Sequence, residues 1–181
     1  MAITELKQGL PDYAKDLRLN LDSVLTPAGA PGLTAKQIWG TALAAAIAAR
    51  NTPFTAQVEA LARAEVDETT CNGAKAAAAI MAMNNIYYRF LSLVEDPEYR
   101  TLPARLRMNV IGRPGIDKVD FELYSLAVSV INGCGSCISA HERVLRQHGL
   151  GREAIQSAVR IAAVIHAVAV TREAEPDTTA G

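Results

Sequence analysis

Apolar positions recur three and four residues apart along most of the chain, the spacing of a helix face rather than of an alternating strand. In the clearest case Asp117 suits an N-cap, Val119, Leu123, Leu126, Ala127 and Val130 share a face, and Gly133 can end the helix in the left-handed conformation. The pattern predicts a helix over 136–147, stopped by "HGLG", and a last one from Arg152 to about Thr171, with 173–181 as a frayed tail. Upstream, Pro11 at a first-turn position opens a surface helix through "DYAKDLRLNLDSVL", which "TPAGAPG" (26–32) breaks. Thr34 and Gln37 form a capping-box pattern for a helix to about Arg50. "NTPFT" then separates it from a helix starting near Thr55, and another runs from about Cys71 to Val94, the break between 63 and 72 being weakly marked. The stretch 95–115 reads as a connector with a helical turn after Pro103. That is long for a structureless loop, so it should wrap over the core or line a site.

The expected fold is all-α: one compact multi-helix domain over 1–181, with an N-terminal half (1–100) and a second half (116–172). An internal echo suggests that the halves are pseudo-repeated. "IWGTALAAAIAARNTPFTAQVEALA" from Ile38 and "FELYSLAVSVINGCGSCISAHERVL" from Phe121 both read helix, break, helix, and each is followed by an alanine-rich helix. Alanine-rich helices also resemble one another by composition alone. The first half carries Asn51 and Phe54 where the second carries two thiols.

Composition narrows the function classes. A net charge of -1 and a sequence pI near 6.3 give no broad field for nucleic acid or anionic lipid, so neither partner is expected. The N-terminal residues lack an apolar signal region, and the longest uncharged apolar run, within 161–170, falls short of the roughly 20 residues that span a bilayer. A cytoplasmic protein without a membrane helix is expected. Three cysteines, Cys71, Cys134 and Cys137, fit a reducing compartment better than a disulfide-stapled scaffold.

Within "INGCGSCISAHERV", Cys134 and Cys137 form a CxxC at a helix junction. A free thiol has a pKa of about 8.5, so reactivity at neutral pH needs something that stabilises the thiolate. A helix N-terminus supplies unpaired N–H groups, and His141, one turn after Cys137, can accept its proton. Ser136 is the preferred cap of this helix, which makes Cys137 its first residue; Ser139 with Glu142 offers a competing start. Glu122, flanked by Val119, Phe121 and Leu123, is costly there unless it meets a partner, and a fold-back across Gly133 would bring it to His141 or the thiols. Otherwise it is a solvated glutamate.

The motif admits other readings. Structural zinc would need two ligands beyond the thiols, for which His141 and Cys71 could be offered. Haem attachment is excluded because Ile138 stands where CxxCH needs histidine. His148 reads as a helix C-terminal residue, His166 as a satisfied core histidine, and Cys71 as a small buried hydrophobe. Tyr87, Tyr88, Met81 and Met83 read as packing, and Arg105, Arg107 and Arg113 as solvated surface.

The spacing Glu122, Cys134, Cys137, His141, within "FELYSLAVSVINGCGSCISAHERVLRQHG" and after "MNVIGRPGIDKVD", resembles the alkyl hydroperoxidase D family of the wider carboxymuconolactone decarboxylase-like superfamily. Some members carry a second histidine where this chain has Ser136. The resemblance implies an all-helical homotrimer and an antioxidant alkyl hydroperoxide reductase with no bound cofactor or metal. It implies that Cys137 becomes the sulfenic acid, that Cys134 closes the disulfide, and that Glu122 and His141 form the proton relay. It further implies electrons from dihydrolipoamide, on a lipoylated dihydrolipoamide acyltransferase, and regeneration of oxidised peroxiredoxin (alkyl hydroperoxidase C, AhpC). Beside this reading stand a disulfide-exchange adaptor with incidental peroxidase activity and a zinc-holding interaction module. A decarboxylase by superfamily analogy has no obvious use for the thiol pair.

Overall fold

Four of the α-helices start where a side chain, that of Thr34, Asn51, Asp67 or Asp117, accepts from a first-turn N–H that has lost its backbone partner. In the computed structural model, which describes residues 3–175, nine α-helices and no strand are present among the described residues. The first half runs α1 (Ile3–Lys7), α2 (Lys15–Val24), α3 (Ala35–Ala49), α4 (Thr52–Glu65) and α5 (Glu68–Leu93). After α6 (Asn109–Gly112), the second half runs α7 (Lys118–Ile131), α8 (Gly135–Gln147) and α9 (Arg152–Ala174). The all-α expectation holds, and the Thr34–Gln37 capping box forms in both directions, at 3.2 and 3.0 Å.

Several boundaries differ from the sequence reading. α4 begins at Thr52 rather than Thr55, because the Asn51 side chain accepts from the Phe54 N–H at 2.9 Å and Pro53 sits where a helix needs no donor. α5 begins at Glu68 rather than Cys71, since Asp67 accepts from the Thr70 N–H at 2.7 Å. No helical turn follows Pro103 directly; the connector instead folds a 3-10 turn at Pro97–Arg100 and the single turn of α6. Another 3-10 turn, Asp12–Ala14, separates Pro11 from α2. α9 runs on to Ala174, so the expected tail is partly helical, and 176–181 lie outside the described residues.

α3 is the hub, packing against α4, α5, α7 and α9. Ala42, Ala44, Ala45 and Ala46 are fully buried, and their small side chains let neighbouring backbones approach. α9 is long and apolar enough to cross a membrane by length and composition, yet 56% of that window is buried inside the protein, as in a core helix. A close fit within the helical core is at Gly40, where an added Cβ would lie 2.2 Å from Oη and Cζ of the buried Tyr124, whose hydroxyl donates to the Lys36 carbonyl. Gly40→Ala is therefore expected to destabilise the fold by about 1–3 kcal/mol, read as a lowered midpoint in thermal or denaturant unfolding.

The internal echo has a geometric counterpart. The starts of α3, α4 and α5 precede those of α7, α8 and α9 by 83, 83 and 84 residues. Between the first two helices of each half stands one left-handed residue, Arg50 (φ 65°) or Gly133 (φ 66°), again 83 residues apart. Asn51 and Cys134 are then the equivalent N-caps.

Candidate active site

That equivalence explains the local chemistry. Asn51 spends its side chain on capping α4, whereas no side chain caps α8 among the described residues, because the equivalent Cys134 is bonded through sulfur to Cys137. α8 thus gives up a contribution of about 1 kcal/mol and keeps first-turn N–H groups available to a nearby thiolate. The helix starts at Gly135 rather than after Ser136, so Cys137 is its third residue and not its first. Ser136 turns its hydroxyl to the Cys134 sulfur at 3.6 Å instead of capping.

The junction is fastened to α5. Asn132 Nδ2 donates to Asn85 Oδ1 at 3.0 Å, Asn85 Nδ2 donates to Ser129 Oγ at 2.9 Å, and Arg89 Nη1 donates to the Asn132 carbonyl at 2.6 Å. Asn85 is fully buried, so this network ties Asn132, two residues before Cys134, to a buried point on α5. The Cα atoms of Cys134 and Cys137 lie 5.3 Å apart.

The two sulfurs are not equivalent. Cys134 is fully buried, while Cys137, 7% exposed, lines a cavity of about 190 Å³ whose wall includes Met81, Asn84, Tyr88, Ile111 and His141. A larger cavity, about 300 Å³, lies elsewhere, lined by Arg50, Glu59, Lys75 and alanines of α3 and α5, and contains no thiol. The smaller one brings Cys137 and His141 to one wall.

Behind Cys137 stands the expected pair. Glu122 of α7 is 3% exposed, and its Oε2 lies 2.6 Å from His141 Nδ1 of α8. Its Oε1 pairs with Lys118 Nζ at 2.9 Å. Burial pushes the Glu122 carboxyl up, but hydrogen bonds from His141 and Lys118 outweigh it and hold the group below the usual carboxylate range. The solvated-glutamate reading is thus replaced by a buried, paired carboxylate. An ionised Glu122 accepting from Nδ1 makes that nitrogen the protonated one and turns Nε2 toward the cavity side, where it meets Met81 Sδ at 3.3 Å.

All four sequence-derived site residues, Glu122, Cys134, Cys137 and His141, therefore converge, and α5 adds partners that local reading missed. Met81 and Tyr88 line the cavity as well as packing, and Asn84 faces it. No local signal marked them, because they come from a helix more than 40 residues upstream. Lys118 was legible as a cation four residues before Glu122. His166 is not a satisfied core histidine: it is half-buried and its Nδ1 has no hydrogen-bond partner among the described residues. Cys71 is buried and free, and burial pushes its thiol up. Among the described residues no group of three or more His, Cys, Asp or Glu side chains is placed to hold a metal ion. His148 Nδ1 lies 2.8 Å from the Val144 carbonyl at the end of α8, as expected of a C-terminal histidine.

Comparison with known proteins agrees with the geometry. Residues 97–176 match the carboxymuconolactone decarboxylase family, the part that carries both thiols, Glu122 and His141. Proteins named alkyl hydroperoxide reductase AhpD are similar over nearly their whole length. The one from Streptomyces griseus is 57% identical over 175 residues, 97% of each chain. The one from Rhodospirillum centenum is 57% identical over 97% of this chain and 92% of its own. The one from Brucella anthropi is 53% identical over 96% of this chain and 98% of its own. With that identity along its full length and a buried Glu122–His141 pair behind the bonded sulfurs of Cys134 and Cys137, the chain belongs to the AhpD family.

Proposed function

We propose that the protein is an antioxidant alkyl hydroperoxide reductase working through Cys137 and Cys134. The observation that carries this is the difference between the sulfurs: Cys137 reaches the cavity that His141 also lines, while Cys134 is sealed behind it. The name that its relatives bear, alkyl hydroperoxide reductase, points to the same reaction.

In the reduced protein His141 takes the Cys137 proton, and the thiolate attacks the terminal oxygen of ROOH. The O–O bond breaks, the leaving alkoxide takes the proton from His141 and departs as ROH, and Cys137 becomes a sulfenic acid. The Cys134 sulfur then attacks Cys137 Sγ and expels hydroxide, which leaves as water with the Cys134 proton, closing the bridge. An external dithiol reopens it: one thiolate attacks, forming a mixed disulfide, and its second thiol closes on the first to release both cysteines reduced. The sum is ROOH plus a dithiol giving ROH, water and a cyclic disulfide. No bound cofactor or metal enters the scheme.

We assign the dithiol to protein-linked dihydrolipoamide, as on a lipoylated dihydrolipoamide acyltransferase, and the physiological oxidant in part to oxidised peroxiredoxin AhpC. The working form is proposed to be a cytoplasmic homotrimer. The test is turnover of tert-butyl hydroperoxide with reduced lipoamide, glutathione or thioredoxin as donor, with mass spectrometry after one equivalent of peroxide. Turnover with lipoamide and a Cys134–Cys137 bridge is expected. Oxidant-inert sulfurs would overturn the reading, and faster reduction of oxidised peroxiredoxin than of peroxide would turn it into a disulfide-exchange adaptor.

A further inference from the structure

Adjacent residues on α5 meet opposite fates. Asn85 uses both ends of its amide, whereas Asn84, only 4% exposed, buries an Oδ1 with no hydrogen-bond partner among the described residues. An unpaired buried acceptor is costly, and such groups persist where something else binds them. Met81, Asn84 and Tyr88 stand three and four residues apart, so they share the α5 face that walls the Cys137 cavity. The rest of that wall is apolar or sulfur-bearing apart from Ser136 and His141.

We propose that Asn84 is a positioning residue for the hydroperoxide, its carboxamide oxygen accepting the O–H of ROOH while the alkyl group lies on Met81, Tyr88 and Ile111. This rests on the peroxide reading above. An alkyl hydroperoxide offers one donor hydrogen and an apolar body, and beside Ser136 and the proton-accepting His141 the largely apolar wall offers the carboxamide of Asn84, whose oxygen is left unpaired. The hydrogen so held stays on its oxygen throughout, because that oxygen is transferred to Cys137 as the hydroxyl of the sulfenic acid. Asn84 therefore fixes which oxygen faces sulfur without exchanging a proton, leaving proton traffic to His141.

The test uses reduced full-length protein and Asn84→Leu, which keeps the volume and removes the amide, with Asn84→Ala in parallel. Oxidation by tert-butyl hydroperoxide is followed in stopped flow as loss of free thiol. The same proteins are treated with methyl methanethiosulfonate, whose sulfenyl sulfur the thiolate attacks with loss of methanesulfinate, and which donates no hydrogen bond. The second-order rate with peroxide is expected to fall by about 10–100-fold while the thiosulfonate rate is unchanged. Because an orphaned polar group is removed, the melting temperature of Asn84→Leu should not fall. An unchanged peroxide rate, a parallel fall in both rates, or failure of both variants to fold would overturn the proposal. A wild type inert to peroxide would instead remove the reductase reading, so the two failures are distinguishable.

Discussion

Cys137→Ser is expected to lose all hydroperoxide turnover, whereas Cys134→Ser should consume one equivalent of peroxide and then stop. The asymmetry follows from placement. Cys137 is the sulfur on the cavity wall, at the uncapped start of α8, one turn before His141. A serine hydroxyl there is too weakly acidic to be ionised by an imidazole and forms no stable analogue of a sulfenic acid. Cys134 is fully buried and bonded to Cys137, so in the proposed scheme its task begins only after the first oxygen transfer. Without it the Cys137 sulfenic acid has no resolving partner and accumulates. Dimedone adduct formation, read by mass spectrometry on the Cys137 peptide, should be strong in Cys134→Ser and absent in Cys137→Ser. The converse pattern, with an adduct on Cys134, would reverse the assignment of the two sulfurs. Serine at 134 can also cap α8 as Asn51 caps α4, so loss of turnover in that variant should come without loss of helix stability.

The site divides into parts that sequence can and cannot reveal. Cys134, Cys137 and His141 lie within eight residues, and helical spacing alone puts the imidazole on the face of the second thiol. Glu122 was legible as a charge among apolar neighbours, but its burial depends on how α7 meets α8, a tertiary fact. The start of α8 was misplaced because Ser136 and Ser139 are both good caps by propensity. The fold chose neither: the left-handed turn at Gly133 fixes where the helix resumes, as Arg50 does for α4. α5's share in the cavity is invisible in the sequence, since Met81 and Tyr88 read as packing and nothing marks Asn84 until the opposing helix is known. The starts of α4 and α5 were missed for a simpler reason. Asn51 and Asp67 are ordinary caps, but Pro53 reads as a breaker as readily as a first-turn residue, and Asp67 opens a polar run, 67–70, that offers more than one start.

His141→Gln is expected to slow oxidation of reduced Cys137 by tert-butyl hydroperoxide by about 10²–10⁴ near neutral pH, the range for a positioned acid–base group. Glutamine can still donate to Glu122 but takes up no proton. The residual rate should climb with pH as the thiol, with an ordinary pKa of about 8.5, ionises unaided; a merely structural defect would give no such recovery. Glu122→Gln should cause a smaller loss, because the imidazole survives but loses the carboxylate that fixes Nδ1–H and faces the charged ring. That variant also exposes a stability linkage. The Glu122 carboxyl is held below its usual value of about 4.3 by His141 and Lys118 against the opposing effect of burial. A depressed carboxyl contributes stability that is complete above the unfolded pKa and is lost as pH falls through the folded one. The stability gap between wild type and Glu122→Gln, from denaturant melts, should therefore be constant above about pH 5 and close progressively below about pH 4. A gap that stays flat to pH 3 would mean that Glu122 is not kept ionised by its two partners, and His141 would lose the fixed charge on which its part in proton transfer rests.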